Sequence, residues 1–265
     1  MSRQLLRGQF MGTLNRSVSA GGFEVDLRVA TLPPEDVEEH SHDVAHFILP
    51  LADGYRSLAR DPLTARTVFA AGSAIYNPAG VVHRDCFDVA GGLFLSVSAP
   101  ADMPSSLDHP ALLRGPAETA MRRLVGLSLN AQECDRLLVE DVSLTLAGAV
   151  ADRYDPSRRT PDWLTMAVEM IADFSTTQGL EIRHIAAAGD VHPVYLARAW
   201  RHHFGNSPGT AIRYRRADRA VVQLARGLSL ADVAANAGYA DQSHMTREYV
   251  HIFGMTPGSF RAAVA

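Results

Sequence analysis

His192-Pro-Val-Tyr-Leu-Ala-Arg-Ala-Trp-Arg-His-His-Phe204-Gly205, closed by Pro208, and Gln242-Ser-His-Met-Thr-Arg-Glu-Tyr-Val-His-Ile-Phe253-Gly254, closed by Pro257, are two versions of one pattern. Arg198 matches Arg247, Phe204-Gly205 matches Phe253-Gly254, and Pro208 matches Pro257, each at an offset of 49 residues. Upstream, Ile185-Ala186 matches Val233-Ala234 at an offset of 48, so the second unit has a turn one residue longer. Each unit reads as a short helix, a turn and a longer helix. In the first long helix, Leu196, Ala199, Trp200 and His203 fall at i, i+3, i+4 and i+7, a core stripe that leaves Val194, Ala197, Arg198 and Arg201 on the other face. In the second, Met245, Tyr249, Ile252 and Phe253 point inward, leaving Gln242, Ser243, Thr246, Arg247 and either Val250 or His251 outside.

The flanking residues suit such units. Ser229-Leu-Ala-Asp232 has capping-box spacing at a helix start. Gly238 supplies the positive φ that a tight bend between helices needs. The first unit has Asp190 there, a residue that tolerates the left-handed region better than most, at the cost of strain.

The double pattern resembles the DNA-binding domain of AraC/XylS-family transcription regulators over residues 162–261, and the resemblance implies an all-α C-terminal domain with two helix-turn-helix units. It implies that Arg198 and Arg247 enter consecutive major grooves of double-stranded DNA, where arginine reads guanine and glutamine reads adenine. The sequence departs from the family at Asp190, usually Gly, at Trp200 and Tyr249, usually Phe, and at Val250, often a basic residue. A plain helical bundle is the bland alternative for the repeats, and a solvated surface position is the alternative for each arginine taken singly.

Charge divides the chain. Residues 158–265 hold twelve Arg against nine acids, net +3, while residues 1–157 hold thirteen Arg against twenty acids, net −7. Six Arg and one acid lie between His192 and Arg219, a basic face of the kind that meets phosphate. Of these, Arg213, Arg215, Arg216 and Arg219 ride on a long helix from Pro208 to about Arg226 that joins the two units, and Arg215 is expected on phosphate. All 25 basic residues are arginine, which we read as genome composition.

At 265 residues the chain is long enough for two domains, and Asp155-Pro-Ser-Arg-Arg-Thr-Pro161 reads as the linker between domains at 1–157 and 158–265. A support helix follows from Asp162 to Phe174, with Trp163, Ala167, Ile171 and Phe174 inward. Upstream, residues 1–20 read as a mobile arm. Residues 22–98 read as short strands separated by Pro33-Pro34, Asp53-Gly54, Pro78-Ala-Gly80 and Gly91-Gly92, a pattern that suggests a β-barrel or jelly roll. Residues 114–154 read as a helical extension. Its Leu138, Val142, Leu146 and Ala149 form either a packing face or a dimer seam. The fold class expected is therefore α+β. Cys86 and Cys134 fit a reducing cytosol, and no run of about 18 apolar residues marks a membrane span, so a cytoplasmic protein off the membrane is expected.

His40-Ser-His42 with His46, and Pro78-Ala-Gly-Val-Val-His83, form the second notable feature. On one strand of period two, His40, Val44, His42, His46 and Ile48 share a face. These stretches resemble the two cupin motifs, His-x-His-x3-Glu and Pro-x-Gly-x2-His. The resemblance implies a cupin-like sensor domain with His40, His42 and His83 at ligand positions and His46 in place of the glutamate. Three readings stay open: a transition metal (Zn, Fe or Ni) on the imidazoles, a metal-free pocket for a small-molecule effector, and histidines satisfied by hydrogen bonds. The expected function is a one-component, small-molecule-responsive transcription regulator without a catalytic site, with RNA polymerase and a second copy of the chain as further partners. The rival is a metal-dependent cupin enzyme carrying a DNA-binding domain.

Overall fold

The computed structural model describes residues 3–59, 68–130, 136–151, 160–173 and 180–265. The chain divides into two compact units, Met1–Leu113 with Ala117–Tyr154, and Arg114–Pro116 with Asp155–Ala265. Among the described residues, no helix is long and apolar enough to cross a membrane.

The first unit is built from eleven described strands: β1 (Arg3–Leu5), β2 (Thr13–Ala20), β3 (Phe23–Val29), β4 (His40–His42), β5 (His46–Pro50), β6 (Tyr55–Ala59), β7 (Val68–Phe69), β8 (Ala74–Asn77), β9 (His83–Phe87), β10 (Leu93–Ser98) and β11 (Ala111–Leu113), followed by α1 (Pro116–Leu129) and α2 (Arg136–Ala151). One sheet runs β1-β4-β9-β6-β7 and the other β11-β8-β5-β10-β3-β2. Tyr55, Phe69 and Phe87 of the first sheet and Ile48, Ile75 and Phe94 of the second pack into one apolar core, so the sheets bury their inner faces against each other.

Three expectations change here. Residues 3–20 of the expected arm are not free: β1 pairs in parallel with β4 and β2 pairs antiparallel with β3. The signal was missed because most of β2 is solvated and carries little apolar alternation. The stretch from His40 to Leu49 is not one strand. It bends at residues 43–45, where the Asp43 N–H turns to the Leu5 carbonyl, 3.1 Å, and it enters the second sheet at His46. In α2 the inward residues are Val139, Ser143, Leu146 and Val150; Leu138 and Val142 are half-buried and Ala149 is exposed. A polar Ser143 in the buried row rotated the sequence reading by about one residue, and α2 packs on β2.

The second unit is helical: α3 (Asp162–Asp173), α4 (Ile182–Ala188), α5 (Pro193–Phe204), α6 (Pro208–Ala225), α7 (Leu230–Ala237), α8 (Gln242–Phe253) and α9 (Pro257–Val264). Leu164, Ala167 and Ile171 of α3, Ile185 and Ala186 of α4, Leu196 and Trp200 of α5, and Ile212 of α6 form one core. Val233, Ala234, Met245, Tyr249, Phe253 and Phe260 are buried in the second. The helix α6 packs on α3 and α5 and also on α7, α8 and α9, which joins the two cores. Trp163 is half-buried beside Tyr195, ring centroids 5.6 Å apart. Phe174, Cys134, Thr67 and most of the expected linker lie outside the described residues.

Candidate DNA interface and histidine site

The two repeats are built by the same local chemistry. Both long helices stop at a left-handed glycine, Gly205 at φ 71° and Gly254 at φ 75°, where a side chain would be strained. Two residues on, Ser207 and Thr256 cap the next helix by accepting from the N–H of Thr210 and Ser259. Pro208 and Pro257 then fill the first helical position, where no N–H is needed. The repeated Phe-Gly-x-(Ser/Thr)-Pro is thus a stop signal followed by a start signal.

The bends match as well. The Val191 N–H reaches the Ala186 carbonyl at 3.0 Å, and the Tyr239 N–H reaches the Ala234 carbonyl at 2.9 Å. The residue before each donor takes positive φ, Asp190 at 50° and Gly238 at 85°. Helix α5 starts on His192, whose Nδ1 accepts from the Val194 N–H, whereas α8 starts on Asp241, one residue further along, which accepts from the His244 N–H at 2.6 Å. Asp190 is the described non-glycine residue with positive φ. Asp190→Gly is therefore expected to raise the unfolding free energy of the C-terminal unit by about 1 kcal/mol, the strain of a left-handed L-residue. A thermal midpoint that stays put or falls would contradict this.

Val194, Arg198 and Arg201 on α5 and Gln242, Ser243, Arg247 and His251 on α8 are exposed. Ala197 and Thr246 are half-buried, and the Thr246 hydroxyl donates to the Gln242 carbonyl at 2.9 Å. His203 and Ala199, expected in the core stripe, are also half-buried. Arg215 differs from a free phosphate-facing cation: it is half-buried, and its Nε donates to the Ala172 carbonyl at 3.0 Å. Part of its guanidinium fastens α6 to the end of α3.

In the first unit His40, His42, His46 and His83 are each at most 3% exposed. Register explains their convergence. His40 pairs across from His83, and His46 across from Asn77. Ring centroids lie 4.8 Å apart for His40–His83, 4.1 Å for His42–His46 and 5.3 Å for His46–His83. Candidate ligand atoms of His40, His42 and His83 lie within 4.8 Å of one another, as do those of His46, His83 and Asp85. His40 Nδ1 lies 2.9 Å from the Glu38 carbonyl and His83 Nδ1 lies 3.0 Å from the Val81 carbonyl. A carbonyl only accepts, so both Nδ1 atoms carry a proton, and Nε2 is the nitrogen of each ring left for another partner.

Burial favours the neutral imidazole at His40, His42 and His46. It is the main cause that lowers His40, lowers His42 to about 3 and holds His46 well below the usual histidine range, with the neighbouring histidines adding to the effect. Among the described residues, His42 Nε2 and His83 Nε2 are buried without a hydrogen-bond partner.

Three neighbours were not singled out in the sequence. Asn77 lies 3.1 Å from His46 Nε2. Phe10 packs on His42, centroids 4.7 Å apart. Asp85 Oδ2 lies 3.7 Å from His83 Nε2. Asp85 was legible in principle, because a residue two on from His83 in a strand shares its face. A cavity of about 30 Å³ lies here, with His40, His42, Asp85, Tyr55, Phe10 and Phe87 in its wall.

Residues 185–263 match a family described as a helix-turn-helix domain. The F1 operon positive regulatory protein of Yersinia pestis is 39% identical over 69 residues, 25% of this chain and 23% of that protein, so the chain spans about a quarter of that relative's length. A transcriptional regulator from Chromobacterium violaceum with an AraC-type DNA-binding domain is 25% identical in structural superposition, covering 39% of this chain and 92% of that one at a TM-score of 0.37. ToxT from Vibrio cholerae is 9% identical, covering 92% of this chain and 98% of that one at a TM-score of 0.38. A cupin enzyme with an appended DNA-binding domain draws no support from these likenesses. Residues 185–263 of this chain carry a helix-turn-helix domain.

Proposed function

We propose that the protein is a sequence-specific, DNA-binding transcription regulator of the cytoplasm, whose N-terminal unit is a cupin-like sensor domain. The observation that carries the reading is the matched pair of helices α5 and α8. Each presents an exposed arginine at the same place in its unit, Arg198 and Arg247, on a face free of core residues. A helix with an exposed arginine on a rigid core suits a major groove, and α6 ties the two cores together. Gln242, Ser243, Thr246 and His251 would join Arg247 in one groove, and Val194, Ala197 and Arg201 would join Arg198 in the other. Selection of bound sequences from a random duplex pool tests the reading. The full chain is expected to enrich a site with two informative stretches about one helical turn, roughly 34 Å, apart. Enrichment of no sequence would overturn it.

For the N-terminal unit we favour a transition metal over an organic effector. The residues fit an ion. The rings of His40 and His83 are oriented by backbone carbonyls at Nδ1, the kind of outer support that ligating histidines have. An unpartnered buried nitrogen costs free energy that an ion would recover. The cavity, about 30 Å³, has room for an ion and a water, whereas pockets for drug-sized molecules run from about 300 Å³ upward. His40, His42 and His83 would hold Zn, Fe or Ni, with His46 beside them. The ion would supply a fixed positive centre linking β4 and β9 of the first sheet, beside His46 of the second. It would bias DNA binding only through a difference in its affinity for the DNA-competent and incompetent states.

A further inference from the structure

Resting on that metal reading, we propose that Asp85 is a ligand of the ion, supplying the carboxylate of a mixed histidine and carboxylate shell. The contact between His83 and Asp85 carries the argument. His83 donates from Nδ1 to the Val81 carbonyl, so Nε2 is the ring nitrogen left for a ligand bond. Nε2 lies 3.7 Å from Asp85 Oδ2, too far for an N–H···O bond, and has no hydrogen-bond partner among the described residues. Ligand atoms of His46, His83 and Asp85 lie within 4.8 Å of one another. Two ligand atoms on a tetrahedral ion with bonds of about 2.0–2.1 Å lie about 3.3 Å apart, which a small side-chain rotation reaches from here.

Charge points the same way. A divalent ion held by neutral imidazoles alone leaves two uncompensated positive charges among Phe10, Tyr55, Phe87 and Phe94, and burying charge without a counter-charge is costly. Asp85 is the acid in the cavity wall. Its side chain is 13% exposed, and the buried Tyr55 hydroxyl beside it, held well above its ordinary range by burial and by Asp85, stays a neutral donor to that carboxylate. Asp26, the fully buried acid nearby in sequence to the second sheet's core, is already paired with Arg28 at 2.5 Å. His83 belongs to both ligand-competent sets, with His40 and His42 in one and with His46 and Asp85 in the other. An ion on His83 Nε2 therefore sits where the two sets meet.

The test uses the full untagged chain, stripped with a chelator and titrated with Co(II), then with Zn(II) in competition. The wild type is expected to bind about one Co(II) per chain with the visible bands of a low-symmetry ion. Asp85→Asn keeps the shape, removes the charge and is expected to weaken binding at least 10- to 100-fold, with altered visible bands. Asp85→Cys is expected to add a near-ultraviolet sulfur-to-cobalt charge-transfer band, a gain of signal that a position outside the shell cannot give. If Asp85→Asn fails to fold, that band decides. Wild-type affinity in Asp85→Asn together with no new band in Asp85→Cys would overturn Asp85 as a ligand and leave the histidine site standing. A wild-type chain that binds neither ion would overturn the metal reading itself.

Discussion

Residues 160–265 on their own are expected to bind duplex DNA, and residues 1–157 are not. The C-terminal unit has its own two apolar cores, so it does not need the β unit to hold its helices. It also has the positive balance: residues 160–265 hold ten Arg against nine acids, net +1, while residues 1–157 are net −7. Neutralising phosphates releases counterions, so six to ten phosphate contacts would lower the affinity by about a thousandfold or more between 50 and 200 mM salt. Quantitative gel shifts across that range check the slope. Failure of the fragment to shift a duplex that the full chain does shift would contradict the assignment of DNA binding to this unit.

The second large effect is expected at His83. It is the residue shared by both ligand-competent sets, and its Nε2 is buried and unpartnered. His83→Ala is expected to take bound transition metal from about one per chain to background, because it removes the one imidazole common to both ligand-competent sets. His109→Ala, outside both sets, is the control and is expected to leave the metal content unchanged. Elemental analysis of untagged protein reads the result. Equal metal in His83→Ala and wild type would remove the cluster as a metal site.

Legibility in the sequence followed how local the physics was. The helix-turn-helix units could be read because their determinants are short-range. Gly205, Ser207 and Pro208, with Gly254, Thr256 and Pro257, punctuate the chain within five residues, and a period near 3.6 assigns Leu196 and Trp200 to the core. The four histidines were also legible, but the reason given for their meeting was incomplete. His46 reaches the cluster from the second sheet, after a bend at residues 43–45 that a strict period of two hid. Asn77 could not be weighed without the register that places it opposite His46, whereas Asp85, two on from His83, was within reach of the strand period. Arg215 shows the limit of counting charges: basic residues on one helix read alike in sequence, yet this one is tied to Ala172.

The central claim is that two equivalent helices read two separate stretches of DNA, and site selection with single arginine variants tests it most directly. Arg198→Ala is expected to lose base preference in one stretch and Arg247→Ala in the other, each costing about 1–3 kcal/mol on the cognate site. Arg215→Ala, whose Nε faces protein, is expected to keep the wild-type preferences. The same enriched sequence from wild type, Arg198→Ala and Arg247→Ala would contradict the account.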